Sequence, residues 1–488
     1  MSGVPVLSVI VLAPLAGAAL IGLLGRGRGA PRYIALAFTL VSLVGAAWLY
    51  WAYDRTAAGF QFVETVSWIP SMGVSYTLGV DGVSVPMLLL TAIVIVTGVL
   101  ASWSVEERPR EFFVLLLLLV SGVFGVFASL DAFLLFFFYE MAVLPMYLLI
   151  SIWGSTRKDY AAMKLTLFLF AGSAALMLVL VVTYWNVGAG TFDMRVWAEN
   201  DFGAEFQRWM FLLALIGFGT LIPTWPLHTW SPDGHVAAPT AVSMLHAGVL
   251  LKLGAYGVIR LGMWMFPTGF ADWRMLIGVI GAVNVVYGAF CAMNQSDLKY
   301  VIGYSSVSHM GYVLLGLAVA SEFGLSGAVF QMFAHGIMTA LFFTLVGYVY
   351  ESSHTRQIAE ISGLMKQTPL VAAAFVVASA ASMGLPSTSG FVAELLVYVG
   401  LVNTAPVLAA AAFVGVVITA AYLLRLLGRI LLGEPSEAIA HIGDPSPIGL
   451  VPVGTLCLTI MVVGLFPASM HGTITSGLEP LLTKLAGG

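Results

Sequence analysis

Long apolar runs separated by short polar connections fill this 488-residue chain from end to end. They fall at about 6–24, 33–53, 82–104, 112–130, 132–153, 160–185, 209–227, 239–261, 274–293, 299–319, 325–350, 369–402, 405–432 and 448–466. Runs of about 20 apolar residues match the hydrocarbon thickness of a bilayer when helical. The pattern predicts an all-α polytopic membrane protein of about 14 transmembrane helices, one transmembrane domain over 1–488. The narrowest separation is the turn from Ser129 to Asp131, where Asp131 reads as an ordinary helix cap.

Two runs are broken in the same manner. Pro223 and Pro226 interrupt the seventh, and Gly384-Leu385-Pro386-Ser387-Thr388-Ser389-Gly390 interrupts the twelfth. The breaks lie five spans apart, and because five is odd, two such units have opposite orientation in the membrane. The expectation is two inverted five-helix repeats, about 112–261 and about 274–432, with conduction near the broken seventh and twelfth helices.

Composition removes most other classes. The chain is 60% hydrophobic and 9% charged, whereas soluble domains carry about 25% charged residues. A net charge of -4 argues against nucleic acid as a partner. The cysteines, Cys291 and Cys457, lie far apart inside apolar segments, so neither a disulfide nor a metal cluster is expected. The nearest approach to a dinucleotide loop, Gly25 to Gly29 in GRGRG, follows a helical run rather than a strand. No cofactor is therefore expected on this chain. The first run lacks a basic leader and a cleavage site, so it reads as a retained helix.

Lysine and arginine set the orientation. Odd-numbered connections hold twelve (Arg26, Arg28, Arg32, Arg108, Arg110, Arg157, Lys158, Lys299, Arg356, Lys366, Arg425, Arg429) and even-numbered ones five (Arg55, Arg195, Arg208, Arg260, Arg274). The positive-inside rule then places both termini outside.

Against this apolar background the titratable residues stand out. Lys252 lies near the middle of the eighth run, where insertion of a lysine costs roughly 2.5 to 3.5 kcal/mol. Glu140 lies about 12 Å along the fifth run, beside the carbonyl that Pro145 frees. His309 and His335 sit in adjacent runs, and imidazoles both give and accept protons. Glu394 follows the second break by about one turn, where water can reach irregular backbone. His246 is a weaker signal of the same kind. Lys164 lies one turn from a basic connection and is expected to reach water. His228, Asp233 and His235 lie in the Trp- and Pro-rich connection after the first break. They read as lining a cavity, the competing explanation being capping and hydration of an exposed loop.

At these residues the chain resembles the antiporter-like, proton-translocating membrane subunits of respiratory complex I (NADH:quinone oxidoreductase), and most closely the M-type, or chain 4, subunit. The carriers are YTLGVDGVSVPMLLLT at 76–91, FFFYEMAVLPMYLLISIWG at 136–154, PLHTWSPDGHVAAPTAVSMLHAGVLLKLGAYGVIRL at 226–261, YSSVSHMGY at 304–312 and GLPSTSGFVAELL at 384–396. The resemblance implies a hydrophilic axis with Glu140 as the fifth-helix carboxylate, Lys252 as the central lysine, His309 and His335 as relays and Glu394 as the terminal carboxylate. It also implies a bacterial inner membrane, neighbouring membrane subunits as partners, and quinone reduction elsewhere in the complex. One departure is visible: where the family carries a lysine before the first proline of the seventh helix, this chain has Leu221. Two other readings stay open, a subunit of a multisubunit cation/proton antiporter and a non-conducting scaffold subunit.

Overall fold

The computed structural model describes residues 5–25 and 29–487. Arg26 and Arg28, part of the charge asymmetry, lie outside the described residues. Twelve of the described helices are long and apolar enough to cross a membrane. They are α1 (Val6–Leu24), α2 (Ala30–Ala52), α3 (Ser84–Ala101), α4 (Pro109–Ala128), α5 (Ala132–Trp153), α6 (Lys158–Val187), α10 (Thr240–Met263), α11 (Pro267–Met293), α12 (Leu298–Val319), α13 (Glu322–Ser353), α16 (Pro406–Leu431) and α17 (Pro447–Leu465). The other two expected runs are those with breaks. After the short α7 (Met194–Glu199), the seventh forms α8 (Ala204–Leu221) and stops at the break, and the connection beyond it carries the short α9 (Trp230–Ala237). The twelfth divides into α14 (Pro369–Ser382) and α15 (Ser389–Thr404).

Local chemistry sets many of the helix starts. Proline stands in the first turn of α2, α4, α11, α14, α16 and α17, where its missing N–H costs no hydrogen bond. Asp131 caps α5 by accepting from Leu134 N at 3.0 Å, as expected, and also accepts from Ser75 N at 2.9 Å. Burial raises its pKa, and those same backbone hydrogen bonds oppose the rise.

Residues 54–81 lie between the second and third apolar runs. They form an antiparallel hairpin, β1 (Gln61–Ile69) and β2 (Val74–Val80), the non-helical part of an otherwise helical fold. Glu64 on β1 accepts from Leu7 N at 2.8 Å and Ser8 N at 3.0 Å, so an anion satisfies the free N–H groups at the start of α1. A final helix, α18 (Ala468–Gly487), follows the last apolar run. Gly82 and Gly477 let its backbone approach the start of α3; a Cβ on Gly82 would collide with Thr473 O.

The connections sort onto two faces. Leu130 N donates to Thr77 O at 2.9 Å, Met194 N donates to Leu130 O at 2.9 Å, and Lys484 Nζ reaches Ala198 O, which joins even-numbered connections to α18. With Glu64 at the start of α1, this puts both described ends of the chain on one face. On the opposite face Trp153 Nε1 donates to Glu107 O at 2.7 Å, and Arg356 joins Asp297, Ser155 and Thr156. Burial is uneven. The most apolar 18-residue segment of α10 and of α13 is 100% buried and that of α12 94%, against 22% for α17. The most enclosed helices are the ones that carry Lys252, His335 and His309.

Candidate functional site

The break after α8 is built from hydrogen bonds that replace a helix. Asn284 on α11 accepts from Trp225 N at 2.7 Å and donates to Pro223 O at 3.0 Å, while Trp230 Nε1 donates to Thr220 O at 3.0 Å. Irregular backbone at membrane depth survives only when satisfied in this way. The exposed-loop explanation for the connection fails: His228 and His235 are buried, at 2% and 0% exposure. Asp233 pairs with Lys164 at 2.8 Å and accepts from Tyr300 at 2.9 Å. Lys164, still partly exposed, is thereby tied to the break.

α10 is the centre of the arrangement. Two π turns, His246–Leu250 and Val258–Met263, flank the segment that bears Lys252. Such turns widen the hydrogen-bond ladder and recur at functional positions. Lys252 is fully enclosed; its Nζ donates to His335 Nδ1 at 2.7 Å and to the carbonyl of Ala247, inside the first π turn. With lysine as donor, His335 Nδ1 accepts and the neutral ring carries its hydrogen on Nε2.

His335 lies 5.5 Å from His309, centroid to centroid. His309 in turn lies 3.5 Å from Glu394 Oε1 through Nδ1 and 2.9 Å from Ser382 Oγ through Nε2, with Gln331 Nε2 at 3.3 Å from Nδ1. Glu394 is 4% exposed and folds back on the second break. Gly384 there has φ +63°, and a Cβ on it would come within 2.5 Å of Glu394 Oε2. Lys252, His335, His309 and Glu394, contributed by α10, α13, α12 and α15, thus stand in one buried line. Direct hydrogen bonds cover part of it, and the two imidazoles lie near each other where they do not.

Glu140 stands apart from that line. It is only partly buried, on a side of α5 shared with exposed Phe137 and Leu144, and Ser173 is its polar neighbour. Glu140 makes no ion pair among the described residues. Leu221, at the position where the resemblance leads one to expect a lysine, is fully buried in the apolar core. His246 stacks on Trp230 at 5.1 Å and on His235 at 4.0 Å. Asn284, Gln331 and Ser382 were missed by sequence reasoning. Among them Asn284 and Gln331, each an amide inside an apolar run, carried a signal that could have found them.

Fold and site together define an integral, mostly helical membrane protein with broken helices and a titratable interior. The family described as "NADH:quinone oxidoreductase/Mrp antiporter, TM" matches residues 129–419, and the chain belongs to it. A protein of Rhodobacter capsulatus named NADH-quinone oxidoreductase subunit M is 37% identical, over 98% of this chain and 96% of that one. An NAD(P)H-quinone oxidoreductase chain 4 of a Picosynechococcus species is 38% identical, over 93% of this chain and 84% of that one. Among solved structures, a chain of respiratory complex I from Thermus thermophilus with bound NADH superposes with a TM-score of 0.90 at 28% identity, covering 99% of this chain and 100% of that one.

Proposed function

We propose that this chain is a proton-translocating membrane subunit of a complex I-like oxidoreductase in a bacterial inner membrane. Protons move along Lys252, His335, His309 and Glu394, coupled to quinone reduction elsewhere in the complex. The carrying observation is the buried line of these four groups, because ionisable side chains inside a membrane bundle mark ion paths. In this reading the chain crosses the membrane fourteen times as two inverted repeats, about 112–261 and about 274–432, and binds no cofactor itself. Its partners are the neighbouring membrane subunits. Glu140 belongs to the first repeat; with Leu221 in place of a cation, the central path rests on Lys252 and the groups beyond it.

The alternative, a subunit of a multisubunit cation/proton antiporter, draws on the family's shared description. The names of relatives at 37% and 38% identity favour the oxidoreductase. Affinity purification of the tagged chain from its own membranes is expected to bring down flavin and iron–sulfur subunits together with NADH:quinone reductase activity. Recovery with membrane subunits alone and no flavin would turn the assignment to the antiporter.

The orientation is tested separately. Lys366 is exposed and pairs with Glu434 at 2.6 Å on the face of the odd-numbered connections. A Lys366→Cys variant should react with an impermeant thiol reagent only from the cytoplasmic side. Labelling from outside would reverse the topology.

A further inference from the structure

A second set of buried polar groups follows Lys252 along α10, towards its C-terminal end. Tyr256 and Arg260 follow it on α10 at four-residue intervals, so the three share one helix face, and all are buried, at 0%, 1% and 5% exposure. The Tyr256 hydroxyl lies 3.0 Å from Ser84 Oγ and donates to Phe127 O at 3.0 Å. Ser84 Oγ lies 3.1 Å from Asp81 Oδ1 and 3.3 Å from Arg260 Nη2, and Arg260 forms a buried ion pair with Asp81. Arg260 lies within the second π turn.

These groups end at a cavity of about 320 Å³. Asp81 and Arg260 line its floor, and Phe60, Arg195, Ala198, Trp264 and Lys484 line its sides and mouth. The walls come from the even-numbered connections and α18, so the cavity opens on the face that holds both ends of the chain. Arg260 Nε is buried and has no partner in the protein. An ion pair that served only to clamp α3 to α10 would be expected to satisfy its guanidinium fully, because an unpaired buried donor costs about 1 to 3 kcal/mol.

We propose that Tyr256, Ser84 and the Asp81–Arg260 pair form a gated outer release site for protons that have reached Lys252. This rests on the reading of the chain as a proton carrier and adds an outlet on α10 to the line through His335. The step moves only a proton. Lys252 delivers a proton through water to the Tyr256 oxygen, and the Tyr256 hydroxyl, turning from Phe127 O, passes its own proton to Ser84 Oγ. The Ser84 O–H proton passes to the Asp81 carboxylate. Arg260 stays charged throughout, since a guanidinium does not titrate in proteins. While the pair stands, Arg260 covers the Asp81 carboxylate and the outlet is shut. When Arg260 swings toward the cavity, Asp81 can take the proton, lose it to cavity water and pair again.

The test uses the assembled complex reconstituted in liposomes, with protons pumped per NADH oxidised as the readout. Ala198→Cys puts a thiol in the cavity wall; the purified complex is labelled with a bulky, charged thiosulfonate before reconstitution, and the parent, labelled in parallel, accounts for Cys291 and Cys457. Labelling of Ala198→Cys is expected to lower the ratio by as much as Lys252→Ala does, with recovery on reduction. Tyr256→Phe, which keeps the ring and removes the hydroxyl, is expected to give the same loss, while oxidation of NADH in uncoupled membranes continues. A parent ratio in either labelled Ala198→Cys or Tyr256→Phe overturns the outlet. If Lys252→Ala itself pumps at the parent ratio, it is the proton-carrier reading that fails.

Discussion

Replacing Lys252 with alanine is expected to remove this subunit's share of proton pumping while the complex still assembles. The Nζ group is the donor to His335 Nδ1, and both side chains are enclosed by protein. Without it, the line through His335, His309 and Glu394 is cut at its central end. A slowing of at least about a hundredfold in that transfer corresponds to about 2.7 kcal/mol of barrier. Lys252→Arg separates proton exchange from fixed charge. Arginine keeps the cation but gives up no proton in a protein, so it should fail nearly as completely as alanine. Lys164→Ala is the contrasting change. Its amine is committed to Asp233 at 2.8 Å, so its loss should reduce the amount of stable complex and leave protons pumped per NADH near the parent value. The measurement is pumping and quinone reduction in reconstituted complex. Full pumping by Lys252→Arg would mean that the site needs a charge and not a proton carrier, and equal ratios for Lys252→Ala and Lys164→Ala would remove the case for a central lysine.

How far the sequence announces this arrangement depends on the kind of signal. A lysine, two histidines and a glutamate inside apolar runs are conspicuous because insertion penalises them, and the structure gathers Lys252, His335, His309 and Glu394. The same reasoning singled out Glu140, which the fold leaves at a partly exposed edge. Depth in a run reveals cost but not which side of the helix faces the bundle. Gln331 and Ser382 touch His309 across three helices, and such contacts follow from packing that no local pattern encodes. The hairpin is legible in the sequence once β propensity is read beside hydropathy. Val63, Thr65 and Val66, then Val74, Tyr76 and Thr77, flank a Pro70 to Gly73 turn, a β-rich pair of runs that hydropathy alone does not separate from a connection. α18 escaped for the opposite reason: it is too polar for a span, and its burial comes from Gly82 and Gly477 meeting at close range.

Arg356→Ala is expected to have the largest effect on stability. Arg356 is 6% exposed, and its guanidinium spans three parts of the fold. Nε pairs with Asp297 at 2.5 Å, Nη1 donates to Val236 O at 3.1 Å and Ser155 Oγ at 3.3 Å, and Nη2 donates to Thr156 Oγ1 at 3.2 Å. Val236 O belongs to the end of α9, whose last carbonyls need partners; Ser155 N takes Ala237 O at 2.8 Å and Lys299 Nζ takes Ala238 O at 2.7 Å. Cations at a helix C-terminus also suit the helix dipole. One arginine thus ties the end of the first break to the start of α12, through Asp297, and to the connection before α6. Truncating it strands a buried carboxylate whose remaining support is Lys299 N at 2.8 Å, and loss of one partner of a buried pair costs about 3 to 5 kcal/mol. Removing the stranded charge as well should restore part of that, so Arg356→Ala with Asp297→Asn should be more stable than Arg356→Ala alone. Unfolding of the purified protein in mixed micelles by titration with SDS provides the comparison. An Arg356→Ala protein within about 0.5 kcal/mol of the parent, the range of ordinary surface changes, would show that the break is held by its own backbone and Asn284 rather than from the opposite side of the bundle.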